Sequence, residues 1–254
     1  MELFLLLMVR FSGLFLAAPL FSNRRIPSQV KVALVLVLAL LLLPVAVSNV
    51  PALNIRGVWD LIPLVFNELV LGLAMGLAAS LVFMAVQVAG GIIDWEMGFA
   101  IVNVLDPAYG TPMPLVGSFL YLLSLLIFLE LDGHHLVLGG LARSIEAVPP
   151  GQLVLDGGLY DILFRAFARM FLAGVEISAP VLGALFVTSV VLGILARTVP
   201  QLNVFIVGIP LKILVGFFLL LAVLPVFIGV VDRLIEALAG YLAEMVRVMG
   251  VQLR

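Results

Sequence analysis

Six apolar runs divide the chain, at about residues 3–21, 30–50, 61–89, 115–131, 170–196 and 211–231. A membrane helix needs about 20 apolar residues to cross the hydrocarbon core, so the runs predict about six long helices. No strand-length alternation of apolar and polar positions appears, and helices are then the remaining way to satisfy a backbone in lipid. The fold class predicted is all-α: a helical-hairpin integral membrane protein. Breakers separate the runs, as in "FSNRRIPSQVK", "IRGVWD" and "VPPGQLVLDGG". Pro180 and Pro225 fall inside runs and should kink their helices. The segment "HLVLGGLA" (135–142) is too short to span and reads as one arm of a bent element. From Asp232 onward, Leu234, Ile235, Leu238, Leu242, Met245 and Val246 recur at helical spacing among Arg233, Glu236, Glu244 and Arg247. That pattern predicts a C-terminal amphipathic helix.

Composition removes the soluble alternative. The 254 residues are 64% hydrophobic and 11% charged, against roughly 45–50% and 25% for soluble domains. Mean hydropathy is +1.32. A net charge of −2 points to neither nucleic acid nor a polybasic lipid anchor. The absence of cysteine excludes disulfides and thiolate chemistry. The opening "MELFLLLMVRFSGLFLAAPLF" has no basic leader and is interrupted by Arg10; it reads as a retained helix rather than a cleaved signal. Lysines and arginines do not orient the helices. With six spans, Arg24, Arg25, Lys31, Arg197 and Lys212 fall on one side; Arg56, Arg143, Arg165, Arg169, Arg233, Arg247 and Arg254 fall on the other. Such a balance leaves the positive-inside rule undecided. Either a helix is miscounted or the hairpins are not conventional spans.

Small residues at four-residue spacing, Gly72, Gly76 and Ser80 in "NELVLGLAMGLAAS", mark a helix face that admits a close neighbour. The neighbour is a helix of the same chain or of another subunit. Arg10, Lys31, Glu68, Glu176 and Lys212 lie within or beside apolar runs, where ionisable groups are functional suspects. They are spread over several helices, which favours pairing between helices over a proton relay or voltage sensor. Glu130, Asp132, His134 and His135 in "FLELDGHHLVL" form the densest polar cluster. Adjacent histidines point to different helix faces and the spacing is not H-E-x-x-H, so the reading is a helix break at Gly133, with no metal ligands assigned. Asp94 and Glu96 lack a positioned acid–base partner, and no G-x-S-x-G elbow occurs. No cofactor and no catalytic residue follow from these patterns.

Two stretches remain. The segment "GGIIDWEMGFAIVNVLDPAYGTPMP" (90–114) holds glycines, methionines and Phe99 without a lysine or arginine. It reads as a re-entrant segment or as an apolar loop occupying a passage, to which soft methionine is suited. In "LARTVPQLNVFIVGIPLKI" (195–213), Pro200 and Pro210 should stop helices on either side. That leaves a hairpin tip whose freed backbone groups find partners in Arg197, Gln201, Asn203 and Lys212.

Together "APLFSNRRIPSQVK", "EMGFAIVNVLDP", "FLELDGHHLVL", "VPPG" and "ARTVPQLNVFIVGIPLK" closely resemble the FliR family of flagellar protein export, in order, over about residues 5–235. The most specific string is P-Q-x-N-x-F-x-x-G-x-P-x-K. One departure is Glu96, where the family more often has glutamine. The resemblance implies a non-enzymatic subunit of the flagellar type III export gate in the bacterial inner membrane, at the basal body. It implies one helical domain, FliP-like over about 1–160 and FliQ-like, with the tail, over about 161–254. The implied partners are FliP and FliQ subunits, FlhB at the entrance, and unfolded export substrates. A loop at 96–114 would plug the lumen, with Met97, Gly98, Phe99, Val102, Asp106, Pro107, Met113 and Pro114 as its candidate residues. The family's gate stands out of the bilayer plane, which would release its hairpins from the charge rule. The virulence counterpart SctT shares the architecture and is the alternative; a small-solute transporter is a further one.

Overall fold

In the computed structural model the described residues are 2–22, 26–49, 57–99, 114–152, 157–199, 201 and 203–251, and those in regular structure are all helical. The helices are α1 (Glu2–Ala17), α2 (Pro19–Ser22), α3 (Ser28–Asn49), α4 (Val58–Met97), α5 (Leu115–Glu130), α6 (Gly133–Ala147), α7 (Gly157–Thr198) and α8 (Val204–Val251). Four of them, α3, α4, α7 and α8, are long and apolar enough to cross a membrane. The pair α5–α6, bent by 64° at a short break, makes a fifth if it is one broken span. The run at 3–21 became α1, of 16 residues and about 24 Å, short of a core of about 30 Å. The bend puts "HLVLGGLA" in the second arm of the broken pair, inside α6.

Three helices exceed the length expected of a span. The 40, 42 and 48 residues of α4, α7 and α8 give lengths of about 60, 63 and 72 Å, twice the hydrocarbon core. The amphipathic tail is therefore no separate helix: α8 runs through Asp232 without a break. Its Leu238, Leu242 and Met245 are buried while Asp232, Arg233, Glu236 and Arg247 stay exposed, as the spacing predicts. Pro180 lies inside α7, and Pro210 and Pro225 inside α8.

The chain folds as two compact units. One comprises Met1–Val82, Phe128–Ala168 and Ile235–Arg254; the other comprises Phe83–Ile127 and Arg169–Leu234. In the first, glycine brings α1 and α4 into backbone contact. A Cβ on Gly72 would run into the carbonyl of Arg10, and one on Gly76 would lie 2.8 Å from the carbonyl oxygen of Leu14 and 2.7 Å from Cβ of Ala17. Gly13 answers from α1, where a Cβ would lie 2.8 Å from the carbonyl oxygen of Leu69. Ser80, one turn further along the same face, is buried and donates to the carbonyl of Leu77 at 2.7 Å.

That close approach seats Arg10 against Glu68, and both side chains are fully buried. The guanidinium grips the carboxylate with two donors, Nε to Oε2 at 2.5 Å and Nη2 to Oε1 at 3.1 Å. Its other bonds go to α6 and the turn after it: Nη1 donates to the Ser144 carbonyl at 3.1 Å and to Oγ at 3.2 Å, and Nη2 to the Val148 carbonyl at 3.0 Å. Glu68 Oε1 also accepts the N–H of Gly151 at 2.9 Å. Gly151 has φ 85, a conformation costly for other residues, which explains the glycine after Pro149 and Pro150. Every charged atom of the pair is thereby used, the condition under which a buried ion pair is tolerated.

In the second unit Asp94 crosses from α4 to the start of α5. Its carboxylate accepts the N–H groups of Val116 at 3.0 Å and Gly117 at 3.1 Å, satisfying two donors that a helix N-terminus leaves free. Gly90 and Gly117 make room, since a Cβ on Gly90 would collide with the backbone of Gly117.

Two measurements probe this framework. Replacing Arg10 with leucine strands a buried carboxylate and should cost about 3–5 kcal/mol, read as loss of thermal stability in detergent. Adding Glu68→Leu should recover part of it. Gly72→Ala should cost about 1–3 kcal/mol by overpacking against α1. Gly91→Ala, which meets open space, should be neutral or slightly stabilising through helix propensity.

Candidate functional site

The sequence separates the 96–114 segment from the 195–213 segment, but the structure joins them through Glu96 and Lys212. Glu96 lies in the last turn of α4 and Lys212 in the third turn of α8. Lys212 Nζ donates to Glu96 Oε1 at 3.2 Å and reaches the Glu96 carbonyl at 3.4 Å. Ser189 Oγ of α7 lies 3.2 Å from the same carboxylate oxygen, its single proton shared between that oxygen and the Leu185 carbonyl at 2.8 Å. Both charged side chains are about one quarter exposed (24% and 23%), enough burial for the pair to escape most solvent screening. With glutamine at 96 the Lys212 ammonium would donate to a neutral acceptor; glutamate makes the contact an ion pair. Sequence patterning raised no signal for Ser189.

Around this pair the end of α4 is tightly held. Met97 is fully buried and its side chain fills the space above Gly216, where a Cβ would come within 2.6 Å of it. Gly98 takes φ 91, a turn that glycine makes at little cost. Phe99 then meets Phe217 edge-on, with ring centroids 6.2 Å apart. On the far side of the segment, Pro114 is exposed and its carbonyl accepts the Ser118 hydroxyl at 2.7 Å. Val102, Asp106, Pro107 and Met113 lie outside the described residues.

The hairpin-tip assignment changes. Asn203 precedes α8, accepting the Ile206 N–H on Oδ1 at 3.4 Å and on its carbonyl at 3.0 Å, in the manner of an N-cap. Pro210 therefore falls in the second turn of a helix already started, where it removes one ladder bond rather than stopping the helix. The connection between helices is 199–203, not the longer QLNVFIVGI string. Arg197 and Gln201 are exposed there, Pro200 lies outside the described residues, and Lys212 belongs to the other group. Of the remaining charges in apolar runs, Glu176 pairs with Arg233 at 2.6 Å. Asp94, considered beside Glu96 as an acid–base candidate, caps a helix.

Long apolar helices, with charges paired across them among the described residues, define an all-α integral membrane protein. The model of the bacterial export proteins, family 1, matches residues 1–238. The chain is 37% identical to the flagellar biosynthetic protein FliR of Bacillus subtilis (strain 168) over 251 residues, covering 98% of this chain and 96% of that protein. It is 32% identical to FliR of Pectobacterium carotovorum subsp. carotovorum over 93% of this chain and 90% of that protein. It is 29% identical to FliR of Escherichia coli (strain K12), over 94% and 90%. The chain belongs to the bacterial export proteins of family 1, the family of FliR.

The site separates two lysine/arginine positions that the sequence grouped. Lys212→Met should destabilise by about 1–3 kcal/mol, because it leaves the Glu96 carboxylate short of its charged partner. Arg197→Met, at an exposed position, should stay within about 0.5 kcal/mol. Paired thermal melts of the two variants in detergent measure the contrast, and equal effects would show that the ion pair contributes nothing.

Proposed function

We propose that this chain is a subunit of the flagellar type III export gate. With FliP and FliQ it forms the channel through which unfolded flagellar proteins leave the cytoplasm, and FlhB sits at the entrance. The gate sits in the bacterial inner membrane at the basal body. The part up to about 160 plays the FliP-like role, the rest is the FliQ-like hairpin and tail, and the subunit performs no catalysis. The observation that carries this reading is the nearly full-length similarity to proteins named FliR. The helix lengths support it: α4, α7 and α8 are twice the bilayer core, as suits a subunit that shelters its helices against other subunits. Large apolar side chains such as Phe164, Phe171, Phe186 and Phe218 are more than half exposed, on helices whose partner is then lipid or another subunit.

In this reading the 96–114 segment is a movable plug. Apolar side chains at a constriction exclude ions by dewetting. Each contributes only about 1.5–3 kcal/mol, so an arriving polypeptide can displace a few of them. The tight hold on Glu96, Met97 and Phe99 gives such a plug a fixed root. Co-expression with the FliP and FliQ proteins of the same organism should yield one discrete complex, whereas a well-behaved chain that ignores both would overturn the assignment. Within that complex, deleting 99–105 should preserve assembly yet admit small ions, measured as membrane conductance. A shortened gate as tight as the original would remove this segment from the plug.

A further inference from the structure

The two histidines after the α5–α6 break are not used by the export reading. On a regular helix, adjacent side chains diverge by about 100°, and His134 and His135 should face apart. They do not: their ring centroids lie 4.1 Å apart, with planes inclined by 36°. Side-chain torsions bring the rings together. Asp132 sits in the left-handed region at φ 53, ψ 28, the one non-glycine residue to do so among those described. Both histidines follow at once in the first turn of α6. As the residue before a helix, Asp132 would ordinarily cap it, yet its side chain makes no cap bond. The carboxylate turns instead to His135, with Oδ1 3.1 Å from Nδ1.

The result is a cluster in which Asp132, His134 and His135 each offer one ligand atom, all within 4.8 Å of one another. A second observation is independent of that spacing. Nδ1 of His134 is shut off from solvent and has no hydrogen-bond partner, an arrangement that costs free energy in a folded protein. The surrounding sequence favours a cation: Glu130 is two residues away, and no lysine or arginine occurs between Arg56 and Arg143.

We propose that Asp132, His134 and His135 form a binding site for a divalent transition-metal cation of the zinc class. Two imidazoles and a carboxylate are the donor set of borderline metals, and three protein ligands leave a coordination position open. The ion replaces the Asp132–His135 hydrogen bond and gives His134 a polar partner. It ties Asp132, the residue that ends the break, to the first turn of α6. The open position can take water or one further donor.

Cobalt is the probe, since it occupies such sites and absorbs visible light when held by nitrogen and oxygen donors. The full-length chain, carrying a tag without histidine and kept with any subunits that co-purify, is titrated with Co²⁺ and then with Zn²⁺. One saturable equivalent per chain is expected, with a visible band that zinc abolishes. His134→Ala and His135→Ala should each remove the band. Asp132→Asn, which keeps the shape of the turn, should weaken binding by at least about 10-fold. Circular dichroism of each variant confirms that the helices are intact. No saturable band in the unaltered protein, or a band unchanged in folded His134→Ala and His135→Ala variants, overturns the proposal.

Discussion

Arg10 and Glu68 set the condition that the rest of the first unit must meet. Two opposite charges out of contact with water are tolerated only if each of their donors and acceptors is used. Meeting that demand ties α1 to α4 directly and to Ser144, Val148 and Gly151 by hydrogen bonds. In lipid the constraint is stricter than in a soluble core, because a stranded polar group finds no water to turn to. One arginine in an apolar helix therefore dictates the position of a turn more than 130 residues later.

The pair can exist only because the helices carrying it touch. Helices in a bilayer gain little from hiding apolar surface from one another, so close packing has to supply the attraction. Gly13, Gly72 and Gly76 permit it by letting backbone meet backbone. Elsewhere the same economy recurs with different residues. Asp94 supplies partners for the free N–H groups of α5, and Glu96, Ser189 and Lys212 join three helices at the end of α4. Helices far longer than a bilayer core are held by polar pairs at intervals, with apolar faces left for other contacts.

Much of this was legible in the sequence. Apolar runs marked every long helix, since a continuous apolar stretch has little alternative in lipid, and small-residue spacing marked the face of α4 that meets α1. Glu68 and Arg10 stood out as charges in apolar runs. The boundaries were less legible. Pro210 reads as a stop, yet Asn203 starts α8 early enough for the helix to run through it. The amphipathic tail reads as a separate element, yet nothing between Val231 and Asp232 breaks the helix, and a change in side-chain polarity does not by itself end a hydrogen-bond ladder.

The sequence by itself determined the class: an all-helical membrane chain, a family legible in short strings, and charges that had to be paired. Those properties follow from composition and local spacing, and each residue contributes to them wherever the chain goes. Tertiary structure decided the pairings. Glu96 meets Lys212 across 116 residues, and Arg10 chooses Glu68 over other carboxylates, because packing sets which helix faces come within about 3 Å. It also decided the geometry of the Asp132–His134–His135 cluster. There side-chain torsions bring together two rings that helical periodicity alone would hold apart, and the left-handed turn sets Asp132 beside His135.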